Sequence, residues 1–191
     1  TDGSFTKDDY WNLSQSGVHA NYALSGQAYS LSADGNTAAI GGYHNSARGG
    51  AIIWHYNEET YEWGKWMPNG SFMAQNGTMG ESYPQADGYW LEKTSGCGYF
   101  GHYMQLSADG LSLVIAGYGG NTMWVYDYNP ETAHWGKYDS SGTFIKWDED
   151  TEYASGGYRI YNTVSQFGYM VSMTPDNAFV SSAHNTTSIA I

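Results

Sequence analysis

The residue types that carry most enzyme chemistry occur in this chain without the spacing that catalysis or metal binding requires. No Gly-x-Ser-x-Gly nucleophile motif is present, and Cys97 is the only cysteine. The six histidines lack the short spacing of zinc ligands; they are His19, His44, His55, His102, His134 and His184. We therefore predict no catalytic residue, no metal site and no cofactor, and we do not expect an enzyme.

Two local patterns have a binding interpretation and a structural one. The acidic run at 148–152 offers the oxygen ligands that hard cations prefer, but we interpret it as a solvated loop. Trp63-Gly64-Lys65 returns as Trp135-Gly136-Lys137, and such rings can stack on sugars. A packing role must recur in every repeat, whereas a binding role need not. We therefore assign Trp63 and Trp135 to packing between repeats.

The chain is built from repeats. Leu31-Ser32-Ala33-Asp34-Gly35 recurs letter for letter as Leu106-Ser107-Ala108-Asp109-Gly110, with a weaker copy at 173–177. Repetition on this scale indicates supersecondary units that bury their apolar faces against one another. We predict a single array over 1–191, with units at about 3–69, 70–141 and 142–191, the last truncated. Asp34 and Asp109 are assigned to repeat packing.

Each complete unit predicts four short antiparallel strands joined by hairpins. In the first unit the strands cover 28–31, 37–40, 51–56 and 63–66; in the second they cover 103–106, 113–116, 123–128 and 135–138. No stretch of useful length has a helical period. The prediction is an all-β fold of four-stranded antiparallel blades in tandem, propeller-like but incomplete as a single chain. The long connectors are predicted to be decorated loops or an added strand lying over one face.

Short glycine motifs flank these strands. Phe100-Gly101 and Phe167-Gly168 stand at the start of the first strand in the second and third units, and Gly41-Gly42-Tyr43 and Ala116-Gly117-Tyr118 end second strands. Together with Leu-Ser-Ala-Asp-Gly, they make the unit resemble the FG-GAP-type propeller repeat of extracellular proteins, including integrin alpha headpieces. The resemblance implies propeller-like blades and an extracellular setting. Its calcium-binding members carry several alternating aspartates in one loop, where this chain has a single aspartate per turn.

Charge and glycosylation motifs limit the partners. Seven basic residues against nineteen acidic ones give a net charge of −12, which argues against nucleic acid and anionic membranes. No apolar run approaches the roughly 18 residues needed to span a bilayer. N-glycosylation sequons predict attached glycans and an extracellular or cell-surface location; they begin at Asn12, Asn69, Asn76 and Asn185.

The third unit stops at the start of its third strand, which predicts an unfinished sheet with an open edge. A strand from another copy could complete this edge, and a head-to-tail contact that does not close gives a filament. The predicted assembly edge comprises Gly3, Ser4, Phe5, Ile189, Ala190 and Ile191. We therefore expect a structural subunit of an extracellular glycosylated fibril or surface appendage that polymerises with itself. The alternative is an extracellular carbohydrate- or protein-binding adhesion module.

Overall fold

A computed structural model describes most of the repeat array. The described residues are 28–43, 49–75, 88–93, 99–147, 157–161, 163, 167–174, 179–183 and 189–190. Over these ranges the chain forms antiparallel β-sheets, with one short 3₁₀ turn at Tyr118–Gly120 and no α-helix. The predicted all-β class is therefore confirmed. The described strands do not close into a barrel or a propeller.

The first sheet has six strands around a long central one. Their order is β1-β2-β3-β4-β5, and β6 pairs with the edge of β3 that β4 leaves open. Gly49–Asn57 is nearly all buried, as expected for a strand covered on both faces. The strands are β1 (Ala28–Leu31), β2 (Thr37–Tyr43), β3 (Gly49–Asn57), β4 (Glu62–Trp66), β5 (Phe72–Ala74) and β6 (Tyr89–Lys93).

The second sheet repeats this topology, so the sequence repeat is also a structural repeat. Its order is β7-β8-β9-β10-β11, and β12 pairs with β9 just as β6 pairs with β3. The strands are β7 (Met104–Leu106), β8 (Ser112–Gly117), β9 (Thr122–Asn129), β10 (His134–Tyr138), β11 (Phe144–Lys146) and β12 (Tyr158–Tyr161).

The third sheet contains three described strands in the order β13-β14-β15. They are β13 (Phe167–Met173), β14 (Phe179–Ala183) and β15 (Ile189–Ala190). Ala190 lies opposite Ser181, and Ile189 lies opposite Ser182. The central strands β3 and β9 are paired along both edges, whereas β15 pairs with β14 alone within the described part of the chain.

The two complete sheets differ from the prediction in their number of strands. Four were expected in each sheet and six are present, because both long connectors contribute pairing segments. The extra strands are β5 and β6 in the first sheet and β11 and β12 in the second. β6 and β12 join the edges of β3 and β9 by backbone pairing and do not lie over a face. Pairing satisfies backbone groups that a buried loop would leave without partners.

The sheets are stacked, and two apolar layers hold them together. The first layer includes Ile53 and Leu91 from the first sheet and Leu113 and Ile115 from the second. The second layer joins Val114, Met123 and Val125 of the second sheet to Phe167 and Met173 of the third. Because successive strand residues point to opposite faces, Val114 and Ile115 belong to different layers. The second sheet is therefore covered by apolar neighbours on both faces.

The hairpin between the first two strands has the same form in both complete sheets. Gly35 and Gly110 have φ of +79° and +71°, a conformation that other residues rarely adopt. The Asp34 carboxylate accepts hydrogen bonds from Ser32 Oγ at 2.5 Å and from the Asn36 N–H at 3.0 Å. These local bonds explain why Asp-Gly recurs at this place in the sequence.

Candidate functional site

The leading strands β1, β7 and β13 lie where consecutive sheets meet. We call the face carrying Met104 and Leu106 the front face of the second sheet, because these residues are buried in the layer shared with the first sheet. The repeat places Tyr29 and Leu31 on the equivalent front face of the first sheet. In β13, Val171 and Met173 belong to the layer shared with the second sheet. The opposite face of each sheet is called its back face.

A hydrogen bond from a leading strand to the next one recurs at both junctions between sheets. Ser30 Oγ on β1 accepts a bond from the Leu106 N–H at 2.9 Å. Gln105 Oε1 on β7 accepts one from the Met173 N–H at 2.9 Å. Gln105 Nε2 also donates to the Met173 carbonyl at 3.1 Å. Ser30 and Gln105 hold equivalent repeat positions, so a polar side chain at this position ties each sheet to its successor.

The Phe-Gly motifs lie at the same junctions. Gly101 and Gly168 have φ of +87° and +80°, and Phe100 is fully buried. A Cβ on Gly41 of the first sheet would collide with the Gly101 carbonyl, and one on Gly168 would collide with the Thr122 carbonyl. Glycine therefore permits the close approach of consecutive sheets at these points.

The front face of the first sheet has exposed apolar side chains at positions where the equivalent side chains of the second sheet are buried. Tyr29 and Leu31 are 79% and 59% exposed, whereas the equivalent Met104 and Leu106 are 6% and 4% exposed. The rest of this face is buried and continues from Tyr29 through cross-strand neighbours; these residues are Ile40, Ile52, Trp54 and Trp90. The exposed patch is therefore confined to the leading strand β1.

The back face of the third sheet is also exposed at its leading strand. Met170 is 51% exposed, and Ser172 is exposed as well. Ser172 holds the repeat position of Ser30 and Gln105, whose side chains bond to the next sheet. The described array therefore carries exposed side chains on the front face of β1 and on the back face of β13. These two surfaces are the first candidate site.

A second candidate site is an open cleft between the first and second sheets. Its volume is about 320 Å³, within the range typical of small-molecule sites. The lining combines aromatic rings with uncharged polar groups and carries no acidic or basic side chain except the imidazole of His55; it consists of Asn36, Thr37, His55, Tyr56, Trp66, Leu111, Tyr128 and Pro130. Rings beside neutral hydrogen-bonding groups suit a ligand with both apolar and hydroxyl surfaces.

His55 is the unusual group in this cleft. It is 7% exposed, and its Nε2 has no hydrogen-bond partner within the described structure. Its ring lies 4.5 Å from that of Tyr128, edge to face. Burial lowers the pKa of His55 to about 4, although the Asp34 charge partly opposes this shift, so the imidazole is neutral at pH 7. An unpaired buried nitrogen is costly, so this position reduces the stability of the fold.

The second sheet carries an aspartate at the position equivalent to His55. Asp127 Oδ1 accepts a hydrogen bond from Ser112 Oγ at 2.8 Å, and the carboxylate also interacts with the Tyr158 hydroxyl. Burial raises the pKa of Asp127 despite these bonds. At this repeat position, the Asp127 side chain has hydrogen-bond partners within its own sheet, whereas the Nε2 atom of His55 has none within the described structure. This departure from the repeat lies in the cleft.

A tyrosine from each connector bonds to the backbone at the end of a neighbouring strand. The Tyr89 hydroxyl donates to the Trp66 carbonyl and accepts from the Trp66 N–H, both at 3.0 Å. Tyr158 makes the same pair of bonds to Tyr138, at 2.8 and 2.9 Å. This feature was not predicted from the sequence, although a Gly-Tyr pair at 88–89 and again at 157–158 signals it.

The residues predicted to pack between repeats occupy different environments. Trp135 is buried between the first two sheets, with its ring 5.5 Å from Tyr128. Trp63 is half-buried against the front-face cluster of the first sheet, beside Tyr56. Asp34 and Asp109 are exposed, and both carboxylates bond within their own turns. Contact between these turns comes from the backbone, where the Ala33 N–H donates to the Ala108 carbonyl at 2.9 Å.

The other predicted site residues are only partly covered by the structure. Asn69 is exposed in the turn between β4 and β5, where its Oδ1 accepts bonds from Ser71. Ile189 and Ala190 form β15 at the edge of the third sheet. Several predicted residues lie outside the described ranges; they are Asn12, Asn76, Asn185, Gly3, Ser4, Phe5 and Ile191.

Comparison with known proteins does not assign a family. No protein-family model matches the chain, and no curated protein matches it significantly. In the part of the chain that the structure describes, no cluster of His, Cys, Asp and Glu could hold a metal ion. Over the same residues, no helix is long and apolar enough to cross a membrane.

Proposed function

We propose that this chain is a structural subunit of an extracellular, glycosylated fibril or surface appendage, and that its copies assemble through their β-sheets. One observation carries the proposal: Leu31 is 59% exposed, whereas Leu106, in the identical five-residue motif, is 4% exposed. Burying the Tyr29 and Leu31 side chains against another sheet would remove apolar surface from water, as it does for Met104 and Leu106. A second copy of this chain can supply such a sheet.

Two further features support this role. The described strands form an open stack, so sheets can be added without changing the fold. The Phe-Gly motifs recur at both junctions between sheets, in keeping with the proposed likeness to FG-GAP repeats and their extracellular setting. Asn69 lies in an exposed turn, where a glycan would project into solvent without displacing core residues.

The size of the native protein in solution tests the proposal. Glycosylated material should form long polymers in reducing buffer, detected by light scattering and negative-stain electron microscopy. Reducing conditions break any disulfide bond formed by Cys97, so such a bond cannot be the cause of association. Mass spectrometry of the same material should find glycan on Asn69. A monodisperse species near the 21.0 kDa polypeptide mass, with or without attached sugar, would contradict the proposal.

The cleft favours a second candidate, a carbohydrate-binding adhesion module. The CH-rich face of a neutral pyranose could pack on the Trp66 or Tyr128 ring while its hydroxyls bond to Asn36 or Thr37. Sugar specificity commonly combines such apolar contacts with a few polar groups. The supporting observation is an open cleft that combines the Trp66 and Tyr128 rings with uncharged polar groups.

Binding of simple glycosides tests this candidate. Methyl glucoside, methyl galactoside, methyl mannoside and N-acetylglucosamine would each be titrated into protein with ¹⁵N-labelled tryptophan. At least one should shift the Trp66 indole signal in a saturable way. Leu111→Trp, at an exposed position on the cleft, should abolish the shift by filling the space, whereas Tyr161→Ala on β12 should not. Binding that survives Leu111→Trp, or no saturable shift with any sugar, would exclude this cleft as the sugar site.

A further inference from the structure

The two exposed leading-strand faces lie on opposite ends of the stack and have complementary roles at the internal junctions. At each internal junction, the back face of one leading strand meets the front face of the next. The back face supplies a polar side chain, Ser30 or Gln105. The front face supplies an apolar side chain and a backbone N–H, those of Leu106 or Met173. The same two sets of groups are present on the exposed faces of β1 and β13.

The free front face of β1 offers the groups that an incoming back face needs. Ser32 and Thr37 form a hydrogen-bonded pair, because the Ser32 N–H donates to the Thr37 carbonyl at 2.9 Å. In an antiparallel ladder, hydrogen-bonded and non-hydrogen-bonded pairs alternate. The neighbouring Leu31–Ala38 pair is therefore non-hydrogen-bonded, and the Leu31 N–H points away from β2. Leu106, which occupies the same position, directs its N–H to Ser30 in this way.

The exposed back face of β13 offers the matching acceptor. Ser172 is exposed and holds the repeat position of Ser30 and Gln105. Its hydroxyl can accept a hydrogen bond as the Ser30 hydroxyl does. Met170, on the same face, is 51% exposed and can cover apolar surface of Tyr29.

We propose that copies of this chain join head to tail, with the Met170–Ser172 back face of one copy stacked on the Tyr29–Leu31 front face of the next and the Leu31 N–H donating to Ser172 Oγ. This inference rests on the proposed assembly function and specifies its interface. The contact is heterologous, since the two partners contribute different surfaces. Such a contact propagates into a filament or closes into a ring, and it does not stop at a two-fold dimer.

Two single substitutions and their mixture test the interface. Leu31→Lys places a charge on the front face, and Ser172→Lys places one on the back face; both positions are exposed, so the monomer fold should persist. Each variant alone should remain monomeric, because every contact would need the damaged face. An equimolar mixture should give 1:1 dimers, since each variant keeps the one good face that the other lacks. The double variant should not associate with either.

The outcomes separate the interface from the function. Polymers in both single variants, with unchanged thermal unfolding, would overturn this interface and leave the assembly function standing. Self-association of Ser172→Lys alone would show a contact that does not use the β13 back face and would also overturn the head-to-tail arrangement. A wild-type chain that stays monomeric would overturn the assembly function itself. Circular dichroism melting of each variant identifies any loss of fold as a separate effect.

Discussion

The Tyr89 and Tyr128 hydroxyls lie 2.9 Å apart and join the first sheet to the second. Burial raises the pKa of both phenols, so both are protonated at neutral pH. Tyr89 also clamps the Trp66 backbone. One hydroxyl therefore closes three hydrogen bonds between a connector strand, the end of β4 and the neighbouring sheet.

Tyr89→Phe should be more destabilising than the equivalent Tyr158→Phe. In the first variant, the Tyr128 hydroxyl and the Trp66 N–H lose partners in a half-buried setting, which costs about 2 kcal/mol. Tyr158 is 37% exposed, so water replaces its bonds to Tyr138 and its contact with Asp127, and the loss should stay below about 1 kcal/mol. Urea unfolding of both variants measures the difference. Equal losses would mean that the bond between the sheets adds nothing.

Gly110→Ala and Gly35→Ala form a matched pair in identical sequence surroundings. Both glycines have positive φ, so alanine adds similar backbone strain of about 1 kcal/mol in each. A Cβ on Gly35 meets nothing within 4 Å, whereas one on Gly110 collides with Thr37 and Ser32 of the first sheet. Gly110→Ala should therefore lose a further ~1–3 kcal/mol from overpacking. Chemical denaturation checks this order, and a larger loss in Gly35→Ala would contradict the stacking of the two turns.

His55 should make the fold sensitive to mild acid. Its folded pKa of about 4 lies below the unfolded value of 6.5, so the unfolded chain binds the proton first. The contribution of neutral His55 to the free energy of unfolding is fully present above pH 6.5. It falls as the pH drops towards 4, by up to about 3 kcal/mol. Asp34 is the charged group that acts on His55, and the rings of Tyr89 and Tyr128 face it.

His55→Gln provides the control for this titration. Unfolding free energies of wild type and variant, measured from pH 7 to pH 4, should converge as the wild type loses stability. Titration of the acidic residues is common to both proteins and cancels in the difference. A difference that stays constant across this range would show that His55 is not buried as a neutral group.

Gln105→Ala should loosen the third sheet with little effect on the first. The side chain holds both backbone groups of Met173, at 2.9 and 3.1 Å. Removing it costs about 1–2 kcal/mol, lost at the junction between β7 and β13. Hydrogen exchange should accelerate over 167–173 and stay unchanged over 49–57, which serves as the internal control. Uniform acceleration over both segments would indicate global destabilisation instead.

Local patterns were sufficient to predict most of the sheet framework. Alternation and Asp-Gly turns placed β1 at 28–31, where the structure has Ala28–Leu31, and the repeat transferred this reading to the second sheet. The connector strands β6 and β12 were not predicted as members of the sheets, because their pairing depends on the free edges of β3 and β9. The His55 cleft was not predicted either, because its walls combine residues 36–66 of the first sheet with residues 111–130 of the second.

The sequence by itself determined which segments form strands and turns, because backbone preferences and side-chain alternation act over a few residues. Only the tertiary structure decided which of these strands meet another sheet. Leu31 and Leu106 stand in identical five-residue motifs, yet one is exposed and the other is buried. The difference lies in what covers each face: a neighbouring sheet removes Leu106 from water, and burial depends on packing that no local motif encodes.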